Sequence, residues 1–173
     1  MQFAVGDKVV HPHHGPGQIV GIEHKEFMHG METYYVIEIP TQGLTLHIPK
    51  HRVEELGVRP AMLQTEFSGV LDILRSRPDQ LPQDHKERQE QILEKLKAGQ
   101  PTELAEAVRD LAWYQKMSHL TKRDTDYMDR GRKLLAAEMA LVTDTEIADV
   151  NKTIESTLDD ALADEQNQRE VAS

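Results

Sequence analysis

Near residue 60 the chain switches from short strand-forming runs to long helix-forming ones, and that break constrains the fold more than any other feature of the sequence. Before it, β-branched and aromatic residues come in short runs cut by Gly and Pro. Val5–His11 opens a first strand, with Gly6-Asp7 supplying a turn. Pro12 and Gly15-Pro16-Gly17 force a tight reversal into a second strand, Gln18–Glu23, whose Ile19, Gly21 and Glu23 share one face. Met28–Glu32 loops into a third, Thr33–Ile39, where Tyr34 and Tyr35 must point to opposite faces. One of them is core and the other an interface anchor. Gln42-Gly43 turns into a fourth strand, Leu44–Ile48, and Arg52–Leu56 reads as a short fifth. Five short strands with tight turns predict a small SH3-like or Tudor-like β-barrel.

Gly57–Pro60 reads as a hinge, and beyond it the apolar period becomes helical. Leu63, Phe67, Val70, Leu71 and Leu74 form the first stripe. Asp84 is a fitting N-cap for a second helix with Ile92, Leu93 and Leu96 inward, closed by Gly99. Pro101 opens a third, with Leu104, Val108 and Leu111 inward. Thr121 and Asp124 begin a fourth that runs to about Val142, and Thr143 with Glu146 reads as a capping box for a fifth. The predicted class is α+β: a barrel over residues 1–58, an all-α bundle of about five helices over 59–165, and a frayed tail over 166–173.

Charge and cysteine content narrow the function. There is no cysteine, so neither a disulfide framework nor a thiolate metal site exists, which fits a cytoplasmic protein. No apolar run is long enough for a membrane span. The net charge of −10 argues against a generic nucleic-acid binder. Its distribution is uneven, however: residues 61–143 carry 13 basic against 14 acidic side chains, whereas 144–173 carry 2 against 9. A basic face is therefore possible in the middle of the bundle.

No catalytic set emerges. His11, His13 and His14 cluster at the first turn, but no further ligand stands at metal spacing, and a turn-forming role accounts for them. Gly15-Pro16-Gly17 lacks the Lys-Ser/Thr pair of a phosphate loop and opens no helix. Trp113, inside the third helix, reads as boundary packing. The basic residues give the clearest hint of a partner. Lys86 and Arg88 lie in the first turns of the second helix; Lys122 and Arg123 start the fourth, and Arg130 lies further along it. Such side chains work with helix N-termini on phosphate, although solvated i,i+4 partners such as Lys86 and Glu90 give an alternative account.

Val5-Gly-Asp-x-Val-Val-x-Pro-His-His-Gly15, Leu44-Thr-x-x-Ile-Pro49, Glu55-Leu-Gly-Val-Arg59, Leu93-Glu-Lys-Leu-x-x-Gly99 and Val108-Arg-Asp-Leu111 resemble, in order, the CarD/CdnL family of bacterial transcription regulators. The resemblance spans roughly residues 1–160. The first domain also resembles the polymerase-interacting module of transcription–repair coupling factors.

The resemblance implies a non-enzymatic, monomeric, cofactor-free and metal-free regulator. Its barrel would dock on the RNA polymerase β subunit, partly by sheet-edge pairing. Its helical domain would touch promoter DNA weakly, without reading sequence, at the upstream edge of the bubble and so stabilise the open complex. Lys25 and His47 occupy positions where the family often has Arg on the polymerase face, and Tyr35 is expected beside them as an anchor. On the DNA side the expected set is His85, Lys86, Arg88, Lys122, Arg123 and Arg130. The sharpest departure is His85: after Leu81-Pro-Gln-Asp the family commonly has a Trp wedge, and imidazole offers less apolar area than indole. The alternative reading is an adaptor on polymerase, or a repair-coupling partner, that never touches DNA.

Overall fold

The computed structural model describes residues 1–173. The N-terminal part is an antiparallel sheet of five strands: β1 (Lys8–His11), β2 (Gly15–Phe27), β3 (Gly30–Ile39), β4 (Leu44–Pro49) and β5 (Arg59–Pro60). Their spatial order is β4-β3-β2-β1-β5, so β4 and β5 are the two edges and no ladder joins them. Phe3, Val9, Ile19, Tyr35, Ile37, Ile39, Ile48, Val53 and Val58 make its core. Gly17 shows how closely β2 and β3 approach: a Cβ there would sit 2.5 Å from the Glu38 carbonyl oxygen.

Three sequence-based expectations fail here. The segment 52–56 is not a strand. A 3-10 turn covers Lys50–Arg52, and Leu56 and Gly57 donate back to the carbonyls of Arg52 and Glu54. The fifth strand is instead Arg59–Pro60, paired with Val9 and Val10. Second, β2 does not alternate evenly, because a bulge at Val20 shifts the register between Ile19 and Gly21. Ile19 is therefore inward while Gly21 and Glu23 belong to the outer face. Third, the 57–60 segment is not a free hinge. Arg59 clamps Glu138 with two 2.8 Å hydrogen bonds, donates to the Gly99 carbonyl at 2.7 Å, and lies in β5.

The helical part comprises α1 (Phe67–Arg75), α2 (His85–Ala98), α3 (Pro101–Met117), α4 (Lys122–Thr143) and α5 (Ile147–Ala172) around one core that includes Ile92, Leu96, Leu104, Val108, Leu111, Leu135, Met139 and Ile154. Val10 of β1 packs against this same core, Lys8 pairs with Asp144 at 2.9 Å, and the Met62 N–H donates to Glu138. The two parts are thus joined by buried polar as well as apolar contacts. The boundary between α4 and α5 also departs from expectation. Thr143 ends α4, with its hydroxyl on the Met139 carbonyl, and Asp144 takes the left-handed conformation (φ 52°). Glu146, without a side-chain cap, precedes α5. The helix then continues to Ala172, beyond the apolar stripe, where residues 166–173 had been expected to fray. Arg77 of the α1–α2 loop pairs with Glu165 and donates to Gln168 on this extension. No helix is long and apolar enough to cross a membrane.

Candidate functional site

Two separate surfaces collect the singled-out side chains. The first is the outer face of the sheet. Glu23, Lys25 and Phe27 of β2, Tyr34 of β3 and His47 of β4 project there by register. Glu23 is the hub: Lys25 Nζ lies 3.6 Å and His47 Nδ1 3.3 Å from the same carboxylate oxygen. Lys25 also stands 5.1 Å from the Tyr34 ring centroid, and Phe27 lies 6.4 Å from it. The Tyr34 hydroxyl donates to Glu32, which raises the phenol pKa above its ordinary value. The structure therefore brings Lys25 and His47 together, partly exposed, with His47 on the edge strand β4.

Tyr35 does not join them. It is fully buried, stacks edge-on against Phe3, and its hydroxyl accepts the Phe3 N–H at 2.9 Å. The aromatic residue on the outer face is Tyr34. Parity along β3 carries that signal: Tyr35 alternates with Ile37 and Ile39, whereas Tyr34 alternates with Val36 and Glu38.

The second surface is the end of the bundle where α2 and α4 begin. Asp84 caps α2 by accepting the N–H groups of Lys86 and Glu87, both at 3.0 Å. Those bonds, led by the one from Glu87, hold its carboxyl below the ordinary range. Thr121 and Asp124 form a reciprocal capping box at α4. The two starts are then locked together. Arg88 Nη2 and Nε reach Asp124 at 2.8 and 3.3 Å, and Gln89 donates to the Thr121 hydroxyl at 2.9 Å. Burial opposes ionisation of Asp124, but the hydrogen bonds from Arg88 and Thr121 outweigh it and keep the pKa depressed.

This lock removes Arg88 from the expected DNA contacts. Its side chain is 2 % exposed. Nη1 is spent on the carbonyls of Pro82 and Gln83 and on the Tyr114 hydroxyl, and the guanidinium stacks 4.4 Å from the Tyr114 ring. The signal was present in the sequence, since Arg88 stands four and eight residues before Ile92 and Leu96 on one helix face. What the lock leaves outside is His85 and Lys86 at the start of α2 and Lys122 and Arg123 at the start of α4, all exposed. Lys122 has only Asp126 nearby, at 3.4 Å on an open surface. Asp84 takes the N–H groups of Lys86 and Glu87, so a phosphate at that helix would be met mainly by side chains. Arg130 is elsewhere: it lines the cleft between the two parts of the chain, about 10 Å along α4 from Arg123. Trp113 lies between α3, α5 and the α1–α2 loop, with its indole N–H buried and unpaired, and it is a boundary residue as expected.

Two models of one family match this chain. The CarD-like/TRCF RID domain matches residues 3–62, and the CarD C-terminal domain matches residues 69–155. YdeB of Bacillus subtilis, a protein described as a transcription factor, is 29 % identical over 140 residues, covering 81 % of this chain and 92 % of its own length. The 72-residue N-terminal domain of Myxococcus xanthus CarD, solved by NMR, is 32 % identical over a match covering 34 % of this chain and 79 % of that one, with a TM-score of 0.30.

Proposed function

Because the chain belongs to the CarD family of transcription factors, we propose that it holds RNA polymerase and promoter DNA at once and stabilises the open complex. The outer sheet face docks on the β subunit through Lys25, Tyr34 and His47, with the β4 edge free to extend a strand of the partner. Glu23 already engages both side chains, so docking exchanges these exposed contacts for contacts with the partner. Such pairs are worth about 0–1 kcal/mol and yield readily.

The end of the bundle meets DNA at the upstream edge of the bubble. Lys86, Lys122 and Arg123 contact phosphates, and His85 lies against the opened base step. The observation that carries this reading is the buried Arg88–Asp124 pair, which fixes the starts of α2 and α4 side by side and gathers those four exposed side chains. Acidic residues concentrate instead in the last 30 positions, which keeps binding to free duplex weak. Affinity for DNA then comes from tethering on polymerase, which supplies a high effective concentration. Stabilisation follows from differential binding, because a ligand shifts the closed–open equilibrium only by its extra affinity for the open form.

Footprinting on a fork-junction template tests the assignment. With polymerase present, this protein should protect the upstream edge of the fork, and the protection should disappear when Lys122 and Arg123 are both changed to Ala. Protection that persists in that variant would remove the bundle end from the contact. No protection at all would favour the adaptor that binds polymerase without touching DNA.

A further inference from the structure

A recess of about 170 Å³ lies where the sheet meets the helices, lined by His11 of β1, Lys97 and Gly99 at the end of α2, and Arg130 and Glu138 of α4. Three donors there have no acceptor in the protein. His11 is 7 % exposed, and its Nδ1 accepts the N–H groups of His13 and His14 at 3.1 and 3.3 Å. Nδ1 thus carries no proton, so Nε2 carries it, and that N–H is unused. Arg130 and Lys97 are exposed and make neither ion pairs nor side-chain hydrogen bonds. The carboxylate of the recess is no counterion for them. Both Glu138 oxygens are taken by Arg59, and one also accepts the Met62 N–H.

The recess therefore presents two cations without ion pairs and an imidazole N–H without a partner, and no free carboxylate. Convergent positive charge in a recess concentrates anions, and a guanidinium fork matches the geometry of a phosphate. The carbonyl end of α2 opposes an anion there, but Lys97 sits on that last turn and Arg59 already occupies the Gly99 carbonyl. Size selects the ligand. At about 30 Å³ per water the recess holds five or six waters, room for one phosphate group, and it falls below the roughly 300–1,000 Å³ of sites for larger ligands.

We propose that this recess binds inorganic phosphate, held by Arg130, Lys97 and the His11 Nε2–H, and that the bound ion bridges the sheet to α2 and α4.

The test is a titration of the full-length chain with sodium phosphate at pH 7.5, with ionic strength held constant by sodium chloride. The thermal midpoint and the amide NMR shifts of residues 11, 97 and 130 are followed. The expected result is a saturating rise in midpoint, with shifts confined to the recess. Losing one charge-assisted hydrogen bond should raise the half-saturating phosphate concentration by about tenfold or more in Arg130→Gln, and again in Lys97→Gln. Both side chains lack partners, so neither change should move the phosphate-free midpoint. A linear response identical to that of chloride alone would overturn the proposal, as would unaltered half-saturation in both variants. A short DNA duplex that abolishes the phosphate response by competition would place a DNA phosphate in the recess and also refute it.

Discussion

Replacing Arg88 by Met tests the structural keystone of the DNA-facing end. In the native protein the Asp124 carboxylate is fully buried and receives two bonds from Arg88, one from the Thr121 N–H and one from the Thr121 hydroxyl. Met fills much of the arginine volume but leaves one carboxylate oxygen without a donor, buried and charged. Breaking a buried pair in this way costs about 3–5 kcal/mol, or roughly 6–20 °C in Tm for a chain of this size. Asp124→Asn in the same background removes the stranded charge while keeping an acceptor for the cap. The double variant should therefore be more stable than Arg88→Met alone by about 1–3 kcal/mol. Urea unfolding read by fluorescence of the single tryptophan, Trp113, measures both, since Trp113 neighbours Tyr114 in the same corner. An Arg88→Met loss below about 1 kcal/mol, or a double variant no more stable than the single, would show that the pair does not hold the two helix starts together.

His85→Ala should shorten the open-complex lifetime about fivefold or more, the value of one lost base contact at the lower end of stacking energies, with polymerase affinity unchanged; an unaltered lifetime removes His85 from the fork. Lys25→Glu should weaken capture of the polymerase β subunit in a pull-down, because it places like charge beside Glu23; undiminished capture would move the contact elsewhere. The protein should also lose stability in two acid steps. Burial, reinforced by His14 and His13, depresses the His11 pKa, so the unfolded chain binds the extra proton first and stability declines as pH falls below about 6.5. The depressed carboxyls of Asp84 and Asp124 give the second decline, below about pH 4. A Tm that stays flat from pH 7.5 to 5.5 in native protein, or that falls equally in His11→Gln, would contradict the first step.

Sequence reasoning recovered most features governed by local chemistry, the Thr143–Glu146 box being the exception. The Asp84 cap, the Thr121–Asp124 box, Pro101 at the start of α3 and the left-handed Gly99 all follow from short-range hydrogen bonding and backbone sterics. Features set by long-range pairing escaped it. The bulge at Val20 reverses which β2 residues face the core, and nothing within Gln18–Glu23 announces it. Alternation puts one of Tyr34 and Tyr35 in the core, and only parity with Ile37 and Ile39 shows that it is Tyr35 rather than the expected anchor. The charge of Arg88 suggests a surface side chain, but its position on the Ile92–Leu96 stripe and its partner Asp124, 36 residues away, bury it. Arg59 looked like part of a linker because its partner, Glu138, is 79 residues distant. The Arg88–Asp124 and Arg59–Glu138 pairs fix how the parts of this fold meet, and both required the tertiary structure to be seen.

Simultaneous grip on polymerase and DNA is tested most directly by the lifetime of a promoter open complex after challenge with a competitor, with and without saturating protein. The native chain should lengthen that lifetime, and Lys25→Glu at the same concentration should lose the effect although its DNA-facing end is intact. A lifetime that does not change with the native chain would contradict the account, and so would one that Lys25→Glu extends equally.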